Sequence, residues 1–133
     1  MTDLEKAIDT LQKTDSSLVV LKGNEIKSYS ESGIKNLVGL LKEDPEALMG
    51  ATIADKVIGK VAGAIMIRAG VKEVYAKVMS QLALELFETY NIEAKYEINT
   101  SYIKRRDNSG MCPMEEKFFG EDDIDVIWDE YIG

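Results

Sequence analysis

The stretch from Gly50 to Ile67, GATIADKVIGKVAGAIMI, leaves the chain little choice of architecture. From Val61 to Ile67 it is apolar on every side, so whatever it forms must be covered from several directions at once. Surrounding one element requires layers, and 133 residues suffice for a single domain, 1–133, with a real core. The spacing predicts a helix from about Ile53 to Ala69, closed by Gly70 as its C-terminal cap. Its start carries Asp55, Lys56 and Lys60, and these charges admit two readings. In one, Thr52 caps the helix, Asp55 completes a capping box and the lysines extend to solvent. In the other, Lys56 and Lys60 lie one turn apart on one face, beside free backbone amides, and hold an anion. Gly59 and Gly63, four apart, predict a smooth strip against which a neighbouring backbone packs or a ligand approaches.

The flanking segments supply the layers. Residues 2 to 14 place Leu4, Ala7, Ile8 and Leu11 at helical spacing, with Thr2 and Asp3 as caps. SLVVLK and EIKSYS bracket Gly23 and Asn24 and read as a β-hairpin. GIKNLVGLLKEDP puts Ile34, Leu37, Val38 and Leu41 on one helical face and stops before Pro45. VKEVYAKV reads as a strand, SQLALELFETYNI as a helix with Ser80 as N-cap, and AKYEINT as an alternating strand. DDIDVIWDEYI closes the chain as a packing helix with Ile124, Ile127, Trp128 and Tyr131 in one stripe. The order αββ, αα, βαβ predicts an α/β fold with a mixed sheet and helices on its faces.

Charge narrows the function classes. The net charge of −8 is concentrated in residues 115 to 133, which hold eight acids against Lys117 alone. The first 114 residues are close to neutral, so no broad basic face exists to hold duplex nucleic acid by counterion release. The longest apolar run, seven residues from Val61 to Ile67, is far short of the ~20 needed to cross a bilayer, so no membrane role is expected. The acidic, amphipathic start lacks the pattern of a secretory signal, and a cytoplasmic location is the expectation. The single cysteine, Cys112, allows no internal disulfide. With no histidine in the chain, every histidine-dependent catalytic triad is excluded, and no phosphate-binding glycine pattern is present.

The segment from Ser101 to Glu121 has no clear period and is expected to be a long functional loop. Within it, RRDNSGMCPMEE offers the forked donors of Arg105 and Arg106, the thiol of Cys112, and Glu115 as that thiol's base or a separate acid. The alternative is a surface turn set by Pro113 with solvated charges and an inert thiol.

GATIADKVIGKVAGAIMIRAGVKEVYAKVMSQLALELFETYNIEAKYE together with RRDNSGMCPMEE resembles the small prokaryotic family called domain of unknown function 1893. The likeness runs over essentially the whole chain. It implies a fold similar to the cytidine deaminases, a three-layer α/β/α sandwich around a mixed sheet. Zinc deaminases carry His-x-Glu at one helix start and Pro-Cys-x-x-Cys at the next. By element order those places fall at TIADK and VMSQL, which hold no histidine or cysteine, so zinc-dependent deamination is not expected and no metal or cofactor is assigned.

The fold analogy implies a pocket where the two helix starts meet, gathering Asp55, Lys56, Lys60 and Ser80. The loop with Arg105, Arg106, Asp107, Cys112 and Glu115 is expected to fold over it. The resulting expectation is a protein that binds or acts on a small anionic, nucleotide-like molecule. Asp55, Cys112 and Glu115 are its candidate catalytic groups, and Lys56, Lys60, Ser80, Arg105, Arg106 and Asp107 its candidate ligand contacts. Two other readings stand beside it: a non-catalytic interaction module working through the acidic tail or an exposed sheet edge, and a cysteine-based sulfur or redox protein. A homodimer is the expected assembly.

Overall fold

A computed structural model describes the chain except for Ser32, Gly33 and Arg106. Thr2 opens helix α1 (Asp3–Lys13) with a complete capping box: its hydroxyl accepts from the Glu5 N–H at 3.1 Å while the Glu5 carboxylate accepts from the Thr2 N–H at 2.9 Å. Strands β1 (Leu18–Lys22) and β2 (Glu25–Tyr29) form the expected hairpin, with Gly23 supplying a φ of +62° in the turn. Helix α2 (Lys35–Glu43) buries Leu37 and Leu41, as its spacing predicted.

The long helix expected from Ile53 to Ala69 is two elements. Strand β3 (Thr52–Ile58) comes first, and helix α3 (Lys60–Arg68) starts only after Gly59, whose extended backbone makes it the N-cap. The β-branched Thr52, Ile53, Val57 and Ile58 favour the strand, and its partners hold it on both sides: Asp55 lies opposite Leu18 of β1 and Ala76 of the next strand. A central strand covered on both faces shows little polar alternation, so its apolar run merges with that of the helix behind it. Thr52 therefore caps no helix; its hydroxyl donates to the Glu73 carboxylate at 2.7 Å. Asp55 joins no capping box, and Lys56 and Lys60 share no helical face.

Strand β4 (Glu73–Ser80), helix α4 (Gln81–Thr89) and strand β5 (Glu93–Thr100) follow, and Ser80 caps α4 by accepting from the Ala83 N–H at 3.1 Å. The expected loop after β5 contains an isolated bridge between Lys104 and Met111 and a short helix α5 (Pro113–Lys117). Helix α6 (Ile124–Tyr131) starts at Asp123, which accepts from the Asp125 N–H at 2.9 Å.

The five strands lie in the order β2-β1-β3-β4-β5, with β1 antiparallel to both neighbours and β3, β4 and β5 parallel. Two βαβ units in succession account for the parallel half. Helices cover both faces. On one, Leu4, Ala7 and Leu11 of α1 pack on Val19, Ala54 and Tyr75. On the other, α3 and α4 bring Ile65 and Phe87 onto Ile53, Val74 and Ala76, and α6, with Ile127 and Trp128 buried, packs on α3. Helix α3 is buried from Lys60 to Ile67, which is the enclosure that its composition demands. No helix among the described residues is long and apolar enough to cross a membrane.

Gly63 is where α3 meets α4. A Cβ there would lie 3.4 Å from the Ala83 Cβ and 3.4 Å from Phe87 Cε2, so the two helices approach over a bare backbone. Gly63→Val is expected to push them apart and cost roughly 1–3 kcal/mol in urea unfolding. An unchanged midpoint would mean that the crossing has slack.

Candidate functional site

A cleft of about 760 Å³ opens beyond the carboxyl end of β3. Ligands of parallel sheets bind at this end, because the strand-to-helix turns there leave backbone and side chains uncovered. Asp55, Lys56 and Val57 come from the strand's last turn of pleat, and Gly59, Val61 and Ala62 from the start of α3. Ile103, Lys104, Arg105 and Asp107 form the facing wall with Cys112, Pro113, Met114 and Glu115, while Ser17 and Ile34 close the remaining side.

Asp55 is half-buried in the strand, and its carboxylate accepts from the Val57 N–H at 3.2 Å. Burial dominates over its hydrogen bonds from Val57 and Lys56 and pushes the carboxyl up to about 7 from 3.8. It therefore exchanges a proton near neutral pH, which an ordinary surface aspartate does not. Lys56, next along the strand, is exposed, and its N–H donates to the Ser17 carbonyl at 3.0 Å.

Glu115 has a different character. Only 2% exposed, it accepts through one oxygen from the Lys60 N–H and, at 3.0 Å, from the Ser80 hydroxyl, and through the other from the Ile103 N–H. One carboxylate from α5 thus ties together the starts of α3 and α4 and the wall of the cleft. Negative charge at two helix N-termini is also favourable for the peptide dipoles. Gly59 makes this approach feasible: a Cβ there would sit 3.0 Å from Ile103 Cγ1 and 3.1 Å from Glu115 Oε2.

The other expected site residues divide. Arg105 lines the cleft and reaches Glu116 at 3.3 Å; Asp107 lines it too, its carboxyl held below the usual range by hydrogen bonds from the Ser109 hydroxyl and N–H. Cys112, half-buried, precedes Pro113 at the start of α5 and donates its N–H to the Ile103 carbonyl at 2.6 Å. Arg106 lies outside the described residues. Lys60 is not brought to the cleft. Its 2%-exposed side chain runs the other way, donating to the Phe119 carbonyl at 3.0 Å and to Asp122 at 2.8 Å. The short chain between α5 and α6 is thereby fastened to α3, and the expected Lys56–Lys60 anion pair does not form. Ser80 is buried behind Glu115, with its hydroxyl engaged by that carboxylate and by α4.

Comparison with protein families matches residues 6–130 to the model described as TM1506, Domain of unknown function (DUF1893). The chain belongs to the DUF1893 family. A crystal structure of a DUF1893 family protein (TM1506) from Thermotoga maritima is similar to it, with 28% identity and a TM-score of 0.87 over 98% of this chain and 88% of that one. No curated protein matches. In this DUF1893 chain the cleft, the Glu115 tie and both helix starts all fall within the family segment.

The resemblance set the expected counterparts of the zinc deaminases' metal-holding helix starts at TIADK and VMSQL, and the donors at the helix starts of this fold can be examined directly. With β3 in place, the first start moves from TIADK to Gly59 and Lys60, and the second is Ser80 and Gln81. Neither offers an imidazole or a thiolate, and the lone carboxylate between them already accepts three hydrogen bonds. These residues do not fit zinc. Sequence reasoning did not single out Ser17, Ile34 or Ile103 as cleft residues, since a serine before a strand and two isoleucines carry no local signal. Lys104, which also lines the cleft, was not among the expected contacts although it directly precedes Arg105.

Proposed function

We propose that this DUF1893 protein binds a small anionic, nucleotide-like molecule in the cleft and moves a proton on it through Asp55, without zinc. The observation that carries the reading is a carboxyl pushed up to about 7 at a cleft that also presents the cations Lys56, Lys104 and Arg105. A group titrating near the working pH is suited both to donate and to accept. Ile34, Val57, Val61, Ala62, Ile103 and Met114 make the walls largely apolar, which suits a flat heterocycle, while the cations suit a phosphate or carboxylate. In this reading Lys56, Lys104 and Arg105 hold the charge and Asp55 faces the reacting atom. Asp107 accepts from the ligand's donors, and Cys112 is the one thiol able to attack it. Glu115 is a positioning residue. The scaffold is read as a relative of the cytidine deaminases, supported by a mixed sheet between helices with two neighbouring helix starts behind the cleft.

The test is a thermal-shift screen of wild type, Lys56→Ala and Cys112→Ser against nucleotides, nucleosides, nucleobases and sugar phosphates. A ligand at a hundredfold over its dissociation constant adds about 2.7 kcal/mol of apparent stability. The expected result is a stabilising hit in wild type that weakens at least tenfold in Lys56→Ala. Silence across the panel with folded protein, or a hit indifferent to Lys56, would contradict the reading. Lys56 is exposed in the strand, so its replacement leaves the fold intact.

A further inference from the structure

Strand β5 ends the sheet, and its outer edge has no partner among the described residues. Eight residues of bare strand edge are a template for another strand, and proteins ordinarily cover or blunt such edges. The side chains along it are sorted by face. Ala94, Tyr96 and Ile98 lie beside Val74, Ala76 and Val78 of β4, on the face that α3 and α4 cover, yet Tyr96 stays 43% and Ile98 50% exposed. Lys95, Glu97 and Asn99 lie on the opposite face, with Lys95 beside Tyr75 and Glu97 accepting from the Tyr75 hydroxyl at 3.3 Å.

We propose that β5 pairs antiparallel with β5 of a second copy of this chain, in the register that sets Tyr96 opposite Tyr96. That register puts Lys95 opposite Glu97 of the second copy, twice over by the two-fold symmetry. On the other face it sets Ala94 opposite Ile98, again twice, and joins the half-exposed residues into one apolar row. Cross-strand pairs of opposite charge and of aromatic or β-branched residues are what stabilise a ladder. Shifting the register by two in one direction brings Lys95 against Lys95 and Glu93 against Glu97; shifting it in the other brings Glu97 against Glu97. A shift by four sets Glu93 opposite Lys95 but pairs only residues 93 to 95 of the strand, so the central register alone joins opposite charges over most of β5, and the edge specifies a closed pair and not an open stack. The other edge, β2, is five residues long, and its one register with Glu25 opposite Lys27 spans only three of them before the hairpin turn. The pairing is independent of the function assigned to the cleft, since none of the residues used lines it.

Sedimentation equilibrium of the full chain at tens of micromolar is expected to give twice the 14.8 kDa chain mass. Lys95→Glu and Glu97→Lys alone each turn two attractive pairs into two repulsive ones and are expected to weaken the dimer roughly 10- to 100-fold. The double variant Lys95→Glu with Glu97→Lys restores the complementarity with the signs exchanged and is expected to dimerise as wild type does. Mixing the two single variants is expected to give a heterodimer. A monomeric wild type, a dimer indifferent to either single substitution, or a double variant that stays as weak as the singles would each overturn the proposal. Circular dichroism of every variant confirms that the exposed substitutions leave the monomer folded.

Discussion

Replacing Asp55 by Asn is expected to stabilise the protein by roughly 2–4 kcal/mol near pH 8 and by almost nothing near pH 4. The carboxyl titrates at about 7 in the folded chain against 3.8 for the free group, because burial penalises its charged form. Below the lower value both folded and unfolded chains carry the proton, and Asp55 makes no demand on stability. Between the two values the unfolded chain releases the proton while the folded one keeps it, so stability falls as pH rises. Above the upper value the folded chain holds an ionised, desolvated carboxylate, and the cost stays constant. Asparagine keeps the shape and has no charge to desolvate, so the difference from wild type should grow across this window and then level off. Urea unfolding at three pH values measures it. Such a gain is expected where a residue is held in an unfavourable state for chemistry, and the same substitution should abolish proton transfer to a ligand of the cleft.

Glu115→Ala is expected to act in the opposite direction, costing roughly 3–5 kcal/mol. It leaves the Lys60 N–H, the Ser80 hydroxyl and the Ile103 N–H without their acceptor, in a place that water reaches poorly. Glu115→Gln keeps one acceptor oxygen but turns an amide N–H₂ toward one of the two donor groups. It should recover part of the loss, leaving roughly 1–3 kcal/mol. Denaturation midpoints of the two variants measure the difference. If alanine costs under 1 kcal/mol, Glu115 does not tie the helix starts together.

The pattern of what the sequence disclosed follows from physical range. Helices α1, α4 and α6 were legible because their caps and apolar stripes are local: Thr2 with Glu5, Ser80 before Gln81, Asp123 before Asp125. The hairpin was legible through Gly23 and its neighbour Asn24. Strand β3 was not, because its identity rests on pairing with β1 and β4, which no window of sequence contains. That one misreading displaced Lys60, which as part of a helix after Asp55 and Lys56 looked like their neighbour and in fact faces Asp122 on the far side. The grouping of Asp55, Lys56, Arg105, Asp107, Cys112 and Glu115 around one cleft survived the error. The accepting role of Glu115 was beyond reach, since its three donors come from segments up to 55 residues away.

The most direct test of the account is the titration of the Asp55 side-chain carboxyl carbon, followed by NMR in carbon-labelled wild-type protein and assigned by its absence in Asp55→Asn. A midpoint close to 7 is expected, moving when a nucleotide-like ligand occupies the cleft. A midpoint close to 4, where an ordinary surface aspartate titrates, would remove the proton-transfer group on which the proposed function stands.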